Sequence, residues 1–140
     1  MQTRLIPVFI ALIALLITLV TAAPVDTLEK RKSGKVYEGT ATWYKPETEG
    51  GTKGACNGKK ISSKDYIVAL NHKQYGNMDK NSAWCGKKIS ITGPRGTTTA
   101  TIQDACPGCG YGDLDLTPAV FEEVAGGLKK GVAKISWKLA

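Results

Sequence analysis

Between Gln103 and Phe121 the sequence reads QDACPGCGYGDLDLTPAVF, which sets three aspartates, Asp104, Asp113 and Asp115, around the pair Cys106-Pro-Gly-Cys109. A carboxyl group at the end of a half-buried strand either accepts hydrogen bonds from nearby backbone or, with its pKa raised by burial, keeps a proton to donate. The C-x-x-C spacing serves zinc sites, thioredoxin-like redox sites and plain disulfides. Zinc would need two further ligands. His72 is the only histidine, and Cys56 and Cys85 form no second paired motif. A redox pair belongs between a strand and a helix in a βαβ setting, which the pattern here does not offer. Structural disulfides are therefore expected, with no metal and no cofactor. His72 lies in the polar, turn-like LNHKQYGN and reads as a surface residue, with nothing to recruit it into a nucleophilic triad.

Strand alternation along TTTATIQD puts Asp104 on the face of Ala100 and Ile102, the inward or groove-facing side. Asp113 and Asp115 come just before a helical pattern, where a carboxylate favours a helix N-terminus. Among the aromatics, Trp43 and Tyr44 are neighbours on a strand and must point to opposite sides, while Trp84 and Tyr111 are candidates for an exposed binding face. The glycine-rich stretch KPETEGGTKGACNGKK lacks the glycine that a Walker loop needs five residues before Gly58-Lys59, so it reads as a turn-rich loop.

These groups need a scaffold, and the pattern supplies mostly strands. Residues 36–44, 67–70, 88–92, 97–105 and 132–139 carry alternating or β-branched runs. In the last, Ala133, Ile135 and Trp137 share one face and Lys134, Ser136 and Lys138 the other. Gly93-Pro94-Arg95-Gly96 predicts a hairpin turn between the third and fourth runs. One helix is expected over residues 117–125, with Thr117 as cap, Pro118 at the first position, Val120, Phe121 and Val124 as its apolar face, and Gly126-Gly127 as its stop. The fold class is mainly β: a small β-barrel with one or two short helices.

Upstream, Arg4 precedes an apolar run over residues 5–20 and then the small residues Thr-Ala-Ala-Pro. This reads as a signal peptide over residues 1–22, because the run falls short of the roughly 20 apolar residues of a membrane span. Residues 23–31 end in Lys30-Arg31, which fits either a short propeptide with a dibasic cleavage site or a charged linker. Residues 32–140 fit one domain, and its four cysteines in an exported chain favour two disulfides, with three connectivities open. The net charge of +7 is spread along the chain rather than clustered. Together with export, this makes nucleic acid an unexpected partner and leaves an anionic polymer, an acidic protein surface or plain solubility as its meaning.

In their order, GTATWY, GACNG, WCGKKISIT, QDACPGCGYGDLDLTPAVFEEVA and GVAKISWKL resemble the double-psi β-barrel proteins of the expansin, barwin and rare-lipoprotein-A group, above all the small fungal, secreted, single-domain expansin-like proteins. The resemblance covers residues 36–139. It implies a six-stranded double-psi β-barrel with a shallow polysaccharide-binding groove, to which Thr42, Tyr44, Asp104, Trp84 and Tyr111 are assigned, and the disulfides Cys56–Cys85 and Cys106–Cys109. In the related family 45 endoglucanases the aspartate matching Asp104 is the general acid, and a second carboxylate soon after the tyrosine is the base. Here Tyr44 is followed by Lys45-Pro46, with Glu47 and Glu49 only in a loop, so that base is missing.

The expected function is thus a secreted, extracellular or cell-wall protein, monomeric and free of the membrane once its signal is cleaved. It would bind or loosen wall polysaccharide (cellulose, chitin or a peptidoglycan-like polymer) without hydrolysis. Two alternatives follow from the same resemblance. One is a protein ligand such as an inhibitor of papain-like cysteine proteases, whose rigid loops lose little entropy on binding. The other is a glycoside hydrolase or lytic transglycosylase using Asp104 as its catalytic acid.

Overall fold

The computed structural model describes residues 34–140, so the signal-peptide and propeptide readings lie outside the described residues. Six strands, β1 (Tyr37–Trp43), β2 (Ile67–Asn71), β3 (Lys88–Thr92), β4 (Thr97–Cys106), β5 (Leu114–Leu116) and β6 (Ala133–Leu139), close into a barrel in the order β1-β5-β2-β4-β3-β6. The pairs β1/β5 and β2/β4 are parallel, and the others are antiparallel. Two short helices, α1 (His72–Tyr75) and α2 (Pro118–Ala125), and a 3-10 turn (Leu128–Lys130) complete the domain. The mainly β, six-stranded expectation holds.

Period-two patterning builds the barrel. Ala41, Val68, Leu70, Ile89, Ile91, Ala100, Ile102, Leu114, Leu116, Ile135 and Trp137 are all buried, and each strand turns its alternate residues into one core. Helix α2 adds Val120, Phe121, Val124 and Ala125 to that core. Its start corrects the capping expectation. Thr117 occupies the cap position, but its hydroxyl donates to Asp65 O at 2.6 Å instead of capping the helix.

Strand β5 and helix α1 are the elements that the sequence reading did not contain. Strand β5 lies between a glycine turn and the helix, so Asp113 and Asp115 do not serve the α2 N-terminus. Asp113 closes the turn, accepting from Thr40 N at 2.8 Å and Gly110 N at 3.1 Å. His72 opens α1 half-buried, with Nδ1 enclosed and bonded to nothing in the described residues, rather than standing on the surface.

The loop before β5 lies directly on β1. A side chain on Gly39 would overlap the carbonyl of Gly112, and one on Gly112, whose φ is +86°, would overlap the carbonyl of Glu38. Trp137 Nε1 donates to that same Gly112 oxygen at 2.8 Å. This contact brings β5 alongside β1 in parallel and sets Asp115 opposite Thr42. Both disulfides have the implied connectivity, Cys56–Cys85 and Cys106–Cys109.

Candidate functional site

Asp104 does not share the face of Ala100 and Ile102, because β4 carries one extra residue. Val68 pairs with Ile102, but the next residue, Ala69, pairs with Asp104, so Gln103 is bulged out of the ladder. An extra residue reverses every side chain beyond it. Ile102 stays in the core, whereas Asp104 turns to the outer wall of the barrel. The bulge is held from outside: Gln103 O accepts from Cys56 N at 3.1 Å, and Gly54 packs so closely on Gln103 that a side chain there would overlap the same oxygen.

The outer wall at this point is an open depression of about 390 Å³. Ala69, Asp104, Asp115, Glu49, Tyr44 and Met78 are among its lining residues. Asp104 Oδ2 accepts from Tyr44 OH at 2.8 Å, while Oδ1 accepts from Ala55 N and from its own neighbour Ala105 N, both at 2.9 Å. A carboxylate has about four lone-pair positions, so one remains for a ligand. Burial, and then the carboxylate of Asp104, hold the Tyr44 phenol far above its usual pKa, so Tyr44 stays protonated and donates.

Across Ala69 stands Asp115. It is Ala69's partner on β5, and its Oδ1 accepts from Thr42 Oγ1 at 2.8 Å. Burial raises its pKa first, the negative charges of Glu49 and Asp104 raise it further, and the Thr42 bond opposes them. Such a group retains a proton more readily than an ordinary aspartate and can donate it. Of the two loop glutamates, Glu47 is latched to Ser63 by its hydroxyl at 2.5 Å and its N–H at 2.8 Å, bonds that lower its pKa. Glu49 accepts from Lys45 N at 3.0 Å and lies on the rim of the depression.

The structure therefore brings Thr42, Tyr44 and Asp104 together and adds Asp115 and Glu49. It does not bring Trp84 and Tyr111 to the depression. Trp84 packs edge-on to Tyr37 and Trp137, with centroids 6.0 Å and 5.8 Å away, and Tyr111 packs edge-on to Tyr37 at 6.2 Å. Buried apolar area holds Trp84 in that cluster, and Lys35 Nζ stands 6.0 Å from the centroid of the Tyr111 ring. Asp115 had a legible signal that went unused: in Leu114-Asp115-Leu116 the two leucines alternate with the aspartate, as in a strand with one buried face.

The closed six-stranded barrel is that of the expansin-like double-psi β-barrel proteins, and the chain is similar to them in sequence and in structure. It is 31% identical over 104 residues to Expansin-YoaJ of Bacillus subtilis, a match spanning 74% of this chain and 43% of that protein. A mutant Clavibacter michiganensis expansin solved in complex with cellohexaose superposes with a TM-score of 0.63 at 28% identity, over 76% of this chain and 50% of that one. The Streptomyces papain inhibitor superposes with a TM-score of 0.62 at 27% identity, over 75% of this chain and 94% of that one. No family model matches the sequence. The chain spans less than half the length of the curated relatives it matches.

Proposed function

We propose that this protein is exported and binds or loosens cell-wall polysaccharide through the groove over Ala69, without hydrolysing it. The observation that carries this reading is the facing pair of hydrogen-bonded carboxylates, Tyr44–Asp104 and Thr42–Asp115, on the wall of an open depression. An open trough suits a polymer that enters sideways, and the likeness to an expansin solved with cellohexaose supports a glycan occupant. Hydrolysis with inversion needs a second carboxylate free to take a proton from water. Asp104 is committed to three donors, Asp115 is disposed to hold a proton, and Glu49 is tied to Lys45 N.

The test is depletion of the protein from solution by insoluble cellulose, chitin and whole wall at low and high salt, with reducing ends assayed in the supernatant. Salt-resistant depletion without new reducing ends supports the reading. Depletion that salt abolishes means that charge alone was the attraction, and new reducing ends identify an enzyme.

A second reading, a ligand of papain-like proteases, is favoured by one observation: the match to the Streptomyces papain inhibitor spans 94% of that protein. Stoichiometric inhibition of papain, unaffected by Asp104→Asn, would favour it over the groove.

A further inference from the structure

The charge of the groove is opposite to that of the protein that carries it. The chain has a formal charge of +7, yet the depression is lined by Asp104, Asp115 and Glu49 and by no lysine, arginine or histidine. It also has no exposed aromatic face. Tyr44, its one ring, is 8% exposed and directs its hydroxyl to Asp104, while Trp84 and Tyr111 belong to another cluster. A neutral glucan in this groove gains little from stacking. It must rely on neutral hydroxyl donors, whose bonds to protein largely replace equivalent bonds to water.

A sugar bearing an ammonium group changes that balance, because a donor that is itself charged adds Coulomb attraction to its hydrogen bond with a carboxylate. All three acidic side chains line the trough, and among the described residues no group of three acidic, histidine or cysteine side chains forms a metal site. Asp104 and Asp115 flank Ala69 on separate strands, and Glu49, in the turn that follows β1, lines the same depression. Asp104 and Glu49 are the anionic partners for ammonium groups, while Asp115, disposed to hold a proton, donates to a sugar hydroxyl between them.

We infer that the groove selects β-1,4-linked glucosamine, a glycan with free, protonated 2-amino groups, over neutral glucans of the same length. The inference rests on the proposed groove reading and names its preferred ligand. It also assigns the groove's acidity a role in rejecting glycans that carry carboxylates, which the basic exterior would otherwise attract. The exterior repels a polycation at long range, so selection is read at physiological ionic strength, where the screening length is about 8 Å and contacts inside the groove dominate.

The experiment is a calorimetric titration of the full chain at mildly acidic pH and physiological salt with four soluble hexamers: glucosamine, N-acetylglucosamine, cellohexaose and galacturonate. The expected result is binding of the glucosamine hexamer at least about tenfold tighter than of cellohexaose, with the N-acetylated hexamer near cellohexaose and the galacturonate hexamer weakest. Glu49→Gln is expected to reduce the ratio of the glucosamine to the cellohexaose affinity. Cellohexaose binding as well as glucosamine, or a ratio unchanged in Glu49→Gln, overturns the inference and leaves the groove reading standing. Failure of every hexamer to bind overturns both.

Discussion

Asp104 and Asp115 are both ladder partners of Ala69, one on each flanking strand, so their Cα atoms stand about 10 Å apart with a single methyl group between them. Each carboxylate is oriented by a hydroxyl from the end of β1, Tyr44 for Asp104 and Thr42 for Asp115. The floor is low because residue 69 is alanine. Ala69→Leu should fill the trough and reduce glycan binding at least about tenfold, a loss of about 1.4 kcal/mol. Ala69 packs with Tyr44, Ile61 and Ile67 in a small cluster apart from the barrel core behind the opposite face of β2, so the variant should still fold, at a cost of about 1–3 kcal/mol. Circular dichroism with the depletion assay reads both; undiminished binding would place the ligand elsewhere.

Asp115 is a charge held at a cost. Its folded-state pKa is raised, so the stability it contributes is fully present below its unfolded pKa and is lost as pH rises through the folded one. Asp115→Asn keeps an acceptor for Thr42 and removes the charge. It should melt higher than the parent at neutral pH, and the two should converge as pH falls below the carboxylate range. A parent more stable than the variant at neutral pH would show that Asp115 is stabilised as an anion.

Asp104 answers three donors, so its loss and its neutralisation should differ. Asp104→Ala orphans Tyr44 OH and Ala55 N and should cost about 2–4 kcal/mol, whereas Asp104→Asn can still accept from Ala55 N and should cost about 1 kcal/mol. Urea denaturation measures both. If both changes cost equally little, Asp104 does not anchor the loop, and its hydrogen bonds serve only the groove.

Gly112 and Gly108 make a matched pair. Gly112→Ala combines a positive φ with overlap of the Glu38 carbonyl and should cost at least about 3 kcal/mol. Gly108 has open space around its missing side chain, and Gly108→Ala should change stability by less than about 0.5 kcal/mol. Equal effects at the two positions would contradict the contact that sets β5 against β1.

The disulfides should differ for a chain-entropy reason. Cys56–Cys85 spans a sequence separation of 29, and its removal by paired alanines should cost roughly 3–4 kcal/mol. Cys106–Cys109 spans a separation of 3 and should cost roughly 2 kcal/mol. Losing Cys56–Cys85 should also loosen the loop that supplies Ala55 N to Asp104. Hydrogen exchange at Ala55 would report it; unchanged protection there would separate the disulfide from the site.

Alternation made most of the barrel legible. The strand carrying Ala133, Ile135 and Trp137 buries those residues as their spacing requires, and the Gly93–Gly96 turn closes the predicted hairpin. Two features depend on partners that a single strand does not show. Asp104 faces outward only because Gln103 is surplus to its pairing with β2, and Asp115 enters the groove only because three residues, Leu114–Leu116, fit between β1 and β2. Trp84 misled for a related reason: beside Cys85 in a glycine-rich stretch it resembles an exposed ring, but the fold supplies Tyr37 and Trp137 to cover it.

The most direct test of the groove is to map backbone amide chemical shifts while titrating the isotope-labelled protein with cellohexaose and with the glucosamine hexamer. The largest changes should centre on Gly50, Ala55, Ala69 and Ala105 around the two carboxylates, and Asp115→Asn should weaken the response. Changes centred instead on Trp84 and Tyr111, or none at saturating ligand, would contradict the groove reading.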